Sequence, residues 1–297
     1  MLDYYALEAL AVVVREKNFT KAAKALFLTQ SAVSQRIRSL ENIIGRPLMV
    51  RSPSIKATQT GEQLISHFHN ITILEHSLKK KCLFKHDRGK NLTLAVAVNT
   101  ESLSTWFISA IGKKLKDSEI ILEILIEDQE RTIDFLRAGK VWGCVTSISK
   151  APYGCVSRPL GKMTYRLVST PEFFKKYFSR GVNGASLLEA PAAIYGENDY
   201  MHRNFLSSNF PVYKQGKPTV HLVPSPQALV DFALNGLAFV LLPEMSVEKK
   251  LNRGDLVDLL PTEPFLLPLY FQTQELQTDV TSEFAEGIVN SAQFLLK

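Results

Sequence analysis

The sequence is poor in cysteine. It holds three, Cys82, Cys144 and Cys155, an odd number with no Cys-x-x-Cys pair. That speaks against a disulfide framework and a cysteine-rich zinc site, and it suits a reducing cytoplasm. Long apolar runs are also missing. The longest near the start, Ala9–Val14, is closed in by Glu8 and Arg15. It is too short for a membrane span and lacks the layout of a signal peptide, so no membrane partner is expected. No GxSxG, HExxH or P-loop pattern occurs, and no nucleophile has a plausible base beside it. A non-enzyme is expected. His67, His69 and His76 fall along one predicted helix and His86 follows it. His69 and His76 share a face, but no carboxylate completes a ligand set, so neither a metal nor a cofactor is expected. Low-complexity segments and clear repeats are absent as well.

What is there is length, apolar content and an uneven charge. At 297 residues and 45% apolar residues the chain can bury a sizeable core in two or three domains. Residues 1–90 carry 15 Lys or Arg against 7 Asp or Glu, while the remainder carries 20 against 22. The net charge of +6 therefore originates in the front third. A basic head on a near-neutral body is the electrostatic footprint of a nucleic-acid-binding module, although basic segments also serve plain solubility.

The front third reads as helices. Leu7, Leu10, Ala11 and Val14 recur at helical spacing within Asp3–Lys17. Asn18 and Phe19 break that helix, and Thr20 is placed to cap a short second one ending at Leu26. A third runs from Thr29 or Gln30 to Gly45, with Val33, Ile37, Leu40 and Ile44 as its inward stripe. Two short extended pieces around Ser52-Pro53 make a wing. Thr58 or Thr60 then starts a long helix to about Lys81, striped by Leu64, Phe68, Ile71, Leu74 and Leu78. One stripe on so long a helix needs a partner, expected to be the same helix of a second chain. A basic, polar linker follows.

From Leu92 the pattern alternates strand and helix, which implies a parallel sheet with right-handed crossovers. The alternation restarts after "RPLGKMTY", and the last strand and helix are placed to return to the first α/β unit. The boundaries are therefore 1–60 for a basic helical head, 61–90 for linker helix and hinge, and 91–297 for an α/β body. Its first lobe is 91–164 with 269–297 and its second is 165–268, with a cleft expected between them. Ligands of such sheets sit at the carboxyl ends of strands.

Two helices joined by a tight turn, the second long and polar outside, fit a helix-turn-helix. Its second helix places its N-terminal part in the DNA major groove. Thr29, Gln30, Ser31, Ser34, Gln35, Arg36 and Arg38 lie there. Gln can bond adenine, Arg guanine or phosphate, and Ser either. No acid lies between Thr20 and Leu40, whereas a merely solvated pair would carry Glu–Lys pairs.

The stretch "FTKAAKALFLTQSAVSQRIRSLENIIGRPLMVRSPSIKATQTG" resembles the N-terminal signature of LysR-type transcriptional regulators. The order of linker helix and two lobes is similar too, so the resemblance spans essentially the whole chain. It implies an α/β protein with an all-α winged helix-turn-helix head and a two-lobed effector domain like the periplasmic binding proteins. It implies double-stranded operator DNA as a partner, homodimers paired into homotetramers, and a small-molecule effector. RNA polymerase is a further possible partner. Arg51, after the first wing strand, resembles the family's backbone-contacting position. "VNTESLSTW" and "EDQERTIDFLRAGKVWGCVTS" resemble the branch that senses basic amino acids, lysine or arginine, and controls amino-acid export genes. Phe27 departs from the family, whose members often carry a small or polar residue there.

For an amino acid, Thr100 and Ser102 at a strand–helix junction suit the carboxylate, and Asn99 beside them is a further effector-binding candidate. Glu101 and Asp128 suit its cations. Thr146 and Ser147 fall on the same sheet edge, and Asp199 and Ser225 lie at helix starts in the second lobe; plain capping explains Ser102, Asp199 and Ser225 equally well. Two other readings stand beside this one: an unrelated small effector, or an architectural DNA-binding protein whose lobes hold no ligand.

Overall fold

The computed structural model describes residues 2–50, 52, 54–82, 92–116, 118, 120–196, 200–216 and 218–296. The head comprises α1 (Tyr4–Glu16), α2 (Phe19–Ala25), α3 (Gln30–Ile44), β1 (Met49–Val50) and β2 (Lys56–Ala57), followed by the linker helix α4 (Gln59–Cys82). Caps set the boundaries. The Asp3 carboxylate accepts from Tyr5 N, and Asn18 accepts from Thr20 N and Lys21 N. Asn18, not Thr20, therefore caps α2, and Phe19 is the first residue of that helix. Thr29 Oγ1 accepts from Ala32 N and Gly45 closes α3 at φ 73°. Thr58 starts α4, accepting from Gly61 N.

The head core joins Leu7, Leu10 and Val13 of α1 to Ala22 of α2 and Val33, Ile37 and Leu40 of α3. All seven have no exposed surface. The start of α4 is pinned to the same core by close approach: a Cβ at Gly61 would lie 2.0 Å from Leu48 O. Leu64, Ile65 and Phe68 of α4 pack onto it.

The turn between α2 and α3 accounts for Phe27. Leu28 N donates to Ala23 O (2.9 Å) and Phe27 N to Lys24 O (3.2 Å). That pair is a Schellman closure with Phe27 at its left-handed position, φ 55°. Glycine normally fills this position, and the Phe27 ring is 95% exposed.

The rest of the chain builds a seven-stranded mixed sheet and a small pair. Its elements are β3 (Leu92–Val98), α5 (Thr100–Ser102), a π-helical turn (Leu103–Phe107), α6 (Ile108–Lys116), β4 (Ile120–Ile126), α7 (Thr132–Arg137) and β5 (Gly143–Thr146). Then come β6 (Cys155–Ser169), α8 (Pro171–Tyr177), α9 (Gly184–Glu189), β7 (Ala192–Ile194), α10 (Tyr200–Asn209), α11 (Pro211–Gln215) and β8 (Val220–Leu222). The chain ends with α12 (Pro226–Leu234), β9 (Val240–Pro243), α13 (Glu244–Arg253), β10 (Val257–Asp258), β11 (Phe265–Gln274) and α14 (Asp279–Leu295). The sheet order is β10-β6-β11-β5-β3-β4, with β9 also on β6. β3 runs parallel to both β4 and β5, and β6 runs antiparallel to β9 and β10. β3 thus lies between the strands that follow it, which makes its carboxyl end a switch point.

By contacts the chain forms two units. One comprises Met1–Asn99, Lys113–Arg158 and Phe271–Gly287; the other comprises Thr100–Gly112, Pro159–Tyr270 and Ile288–Lys297. The sequence pattern restarts after Tyr165, but β6 runs unbroken through that point. Gly161 explains the difference. At φ 127° it reads as a turn residue, yet it is needed because a Cβ would meet Leu296 O at 2.4 Å. Polar α13, which the apolar pattern does not reveal, is tied in by charge: Arg166 pairs with Glu244 (2.8 Å) and Asp258 (3.2 Å).

Phe27→Gly removes a left-handed non-glycine residue, a conformation that costs roughly 1–2 kcal/mol. Urea unfolding of the variant is expected to show stability raised by about 1 kcal/mol. A loss of stability would mean that the ring makes contacts its exposure hides.

Candidate DNA interface and effector site

On α3 the apolar stripe fixes the helix's rotation and so decides which polar residues face out. At about 100° per residue, Ser31, Ser34, Gln35 and Arg38 share one face. Gln30, Ser31, Gln35 and Arg38 are exposed and Ser34 is half-buried. Thr29 shares its hydroxyl with Ser31 Oγ at 3.0 Å besides capping the helix. Thr20 Oγ1 donates to Gln30 Oε1 at 3.5 Å, which links α2 to the entry of α3. Arg36 lies off this face, and its guanidinium stands 5.3 Å over the Tyr5 ring of α1. Arg51 lies outside the described residues.

The stripe on α4 divides in two. Leu64 and Phe68 are occupied by the head core, and Ile71 is half-buried. Leu74 and Leu78, further along, are 40% and 61% exposed. Within the first unit α4 also meets the turn between α7 and β5. Lys140 Nζ pairs with Glu62 at 2.7 Å, and a Cβ at Gly139 would fall 1.9 Å from Ser66 Oγ. Surface ion pairs contribute about 0–1 kcal/mol, so the steric closeness at Gly139 constrains this contact more than the charges do.

The expected effector residues separate by what their polar atoms already do. In the first unit, Thr146 is fully buried and its hydroxyl is used twice: it donates to Gln129 O (2.8 Å) and accepts from Ile148 N (3.2 Å). Ser147 N donates to the same Gln129 carbonyl. Thr132 Oγ1 donates to Val145 O at 2.7 Å. These bonds clip the end of β5 to the start of α7, a structural use of Thr146 that its type and place in the sequence do not reveal. Gln272 of β11 extends the clip, donating through Nε2 to Ile148 O. Asp128 is exposed and its carboxylate accepts from Glu130 N at 2.9 Å. Asn99 is buried at the end of β3.

In the second unit, Thr100 is half-buried and begins a helical stretch that runs through the π turn into α6. The Glu101 carbonyl accepts from Ser104 Oγ and Thr105 Oγ1. Ser102 has no exposed surface, and its hydroxyl has no hydrogen-bond partner among the described residues. Ser225 caps α12 through Ala228 N. Asp199 lies outside the described residues.

Cys144 is buried, and burial pushes its thiol up to about 12, so it stays protonated at neutral pH. Among the described residues no group of three His, Cys, Asp or Glu is placed to hold a metal. No helix among them is long and apolar enough to cross a membrane.

Known proteins share both the head and the effector fold. Residues 5–62 match the bacterial regulatory helix-turn-helix protein, lysR family, and residues 89–288 match the LysR substrate binding domain. The HTH-type transcriptional regulator ArgP of Photobacterium profundum is 36% identical over 98% of this chain and 97% of its own length. ArgP of Klebsiella pneumoniae is 39% identical over 87% and 86%. The crystal structure of ArgP from Mycobacterium tuberculosis superposes with a TM-score of 0.87 at 30% identity, covering 100% of this chain and 99% of that one. LysG from Corynebacterium glutamicum, solved at full length with bound effector Arg, gives 0.75 at 29% identity over 98% of each chain. With a matching head, a matching effector domain and relatives aligned end to end, the chain belongs to the LysR family of bacterial helix-turn-helix transcriptional regulators.

Proposed function

We propose that this regulator reads its operator through Ser31, Ser34, Gln35 and Arg38 and takes a basic amino acid, arginine or lysine, as its effector. The observation that carries the effector reading is the buried, unmatched Ser102 hydroxyl near the start of a long helix. A helix N-terminus favours an anion, and a hydroxyl beside it adds a donor, so the α-carboxylate of an amino acid fits there. The arginine held by LysG, a relative that aligns over nearly the whole chain, supports the same ligand class. Asp128, exposed between β4 and α7, is the candidate partner for a cationic side chain. Asn99, Thr100 and Glu101 flank the carboxylate end.

Thr146 acts as a clip and Ser225 as a cap, each with its hydroxyl already bonded within the protein. Thr29 positions the first turn of α3, Gln30 lies at the groove edge, and Arg36 braces α3 against Tyr5. Arg51 is assigned to the DNA backbone by its place after β1. The exposed part of α4, Leu74 and Leu78, is where a second copy pairs. RNA polymerase is a further partner for a regulator of this type.

Titration calorimetry of the full-length protein tests the effector. Arginine or lysine should give saturable heat where leucine gives none; flat traces for both basic amino acids would reject the reading. Asp128→Ala should weaken arginine more than a neutral amino acid, and equal losses would remove Asp128 as the cation partner. Ser34→Ala and Arg38→Ala should each weaken operator binding by about 1–3 kcal/mol, with a smaller loss on random DNA. Arg36→Ala should change the operator-to-random ratio little. An equal loss on both DNAs for Arg38→Ala would exclude base reading by that residue.

A further inference from the structure

The helix that begins at Thr100 carries a second unmatched donor. Trp106 has no exposed surface, and its Nε1–H has no hydrogen-bond partner among the described residues. Ser102, four residues earlier, is in the same condition. Buried indole N–H groups ordinarily find an acceptor, so two unmet donors on one helix are not the expected result of packing alone.

Their spacing puts them on one face. On an α-helix, residues four apart are offset by about 40°, and side chains lean toward the helix N-terminus. The indole of Trp106 therefore leans over the turn that holds Ser102. The π-helical turn, Leu103–Phe107, lies between the two. It winds more slowly than an α-helix, which reduces the angular offset further, and such turns are concentrated at functional sites. Phe107, next along, meets Trp106 edge to face with centroids 5.8 Å apart. The chain's other tryptophan differs. Trp142 also lacks an acceptor for its N–H, but it stands just before β5, outside any helix, and its ring packs against Phe271 and Phe284. Its surroundings are those of packing.

We propose that Trp106 is a specificity-determining residue of the effector site, donating its Nε1–H to the effector's carboxylate together with the Ser102 hydroxyl. An indole N–H is a donor only, so it accepts no hydrogen bond from an ammonium and favours an anionic oxygen. Two fixed donors in the first turns of the helix hold that anion better than a neutral amide, whose NH2 group would meet further donors. This rests on the reading that the effector is an amino acid.

The test uses the full-length protein with arginine, lysine and argininamide, in which the carboxylate is replaced. Trp106→Phe keeps the buried ring and removes the N–H. It should weaken arginine about tenfold or more and leave argininamide, already weak, nearly unchanged. Wild-type affinity for arginine in this variant overturns the proposal while the amino-acid reading stands. Absence of binding by the wild type to either basic amino acid overturns both. Should Trp106→Phe fail to fold, the indole 15N–1H resonances of the wild type, assigned with Trp142→Phe, decide. Saturating arginine should move the Trp106 signal and protect it from exchange, and a signal that neither moves nor gains protection contradicts the assignment.

Discussion

The function of the head depends on the rotation of α3. Val33, Ile37 and Leu40 are fully buried against α1 and α2, and burying each such side chain contributes about 1.5–3 kcal/mol. Any other rotation would expose this stripe and bury Ser31, Gln35 or Arg38 without partners. The polar face is therefore set by what lies behind it. Ala22 and Ala23, both buried, let α2 cross α3 closely enough to hold that setting. Because Leu64 and Phe68 of α4 join the same core, the linker helix is built into the head and is not a tether. α4 and α3 thus share one packed core, the physical connection that an effector signal needs if it is to change DNA contacts.

The effector side follows a different logic. Where α3 exposes polar groups that water already satisfies, the helix from Thr100 buries them. Ser102 follows closely after the carboxyl end of β3, the strand flanked by both of its successors. The end of β5 is held to the start of α7 by three bonds to backbone carbonyls, from Thr132, Thr146 and Ser147. That stiffness is what a site needs if a ligand's binding energy is to shift a conformational equilibrium and not merely tighten a loose loop. At the other end of α7, Gly139 against Ser66 puts the α7–β5 turn in direct contact with α4.

Much of this was legible in the sequence, for physical reasons. Caps, periodic apolar residues and a left-handed glycine are local signals, so α1, α3 and the strands β3 and β4 can be placed from them. Asn18 and Thr20 are both good caps two residues apart, and only the hydrogen bonds to Thr20 N and Lys21 N decide between them. β6 was hidden because Pro159 and Gly161 look like a turn, whereas Gly161 serves a contact with Leu296, far away in sequence. Arg36 looks like its neighbour Arg38 until the phase of α3 turns it onto Tyr5. For Thr146, residue type indicates a hydroxyl on the sheet edge but not that Gln129 and Ile148 already use it. Trp106 gave no signal at all, because a lone tryptophan in an amphipathic helix reads as core.

On the proposed reading, one chain couples a basic amino acid to the choice of DNA contacts. The most direct test is a genome-wide map of the sites bound by the protein in cells grown with and without added arginine or lysine. Discrete sites whose occupancy or footprint length changes with the amino acid are the predicted result. Identical sites, occupancies and footprints in every condition would contradict it.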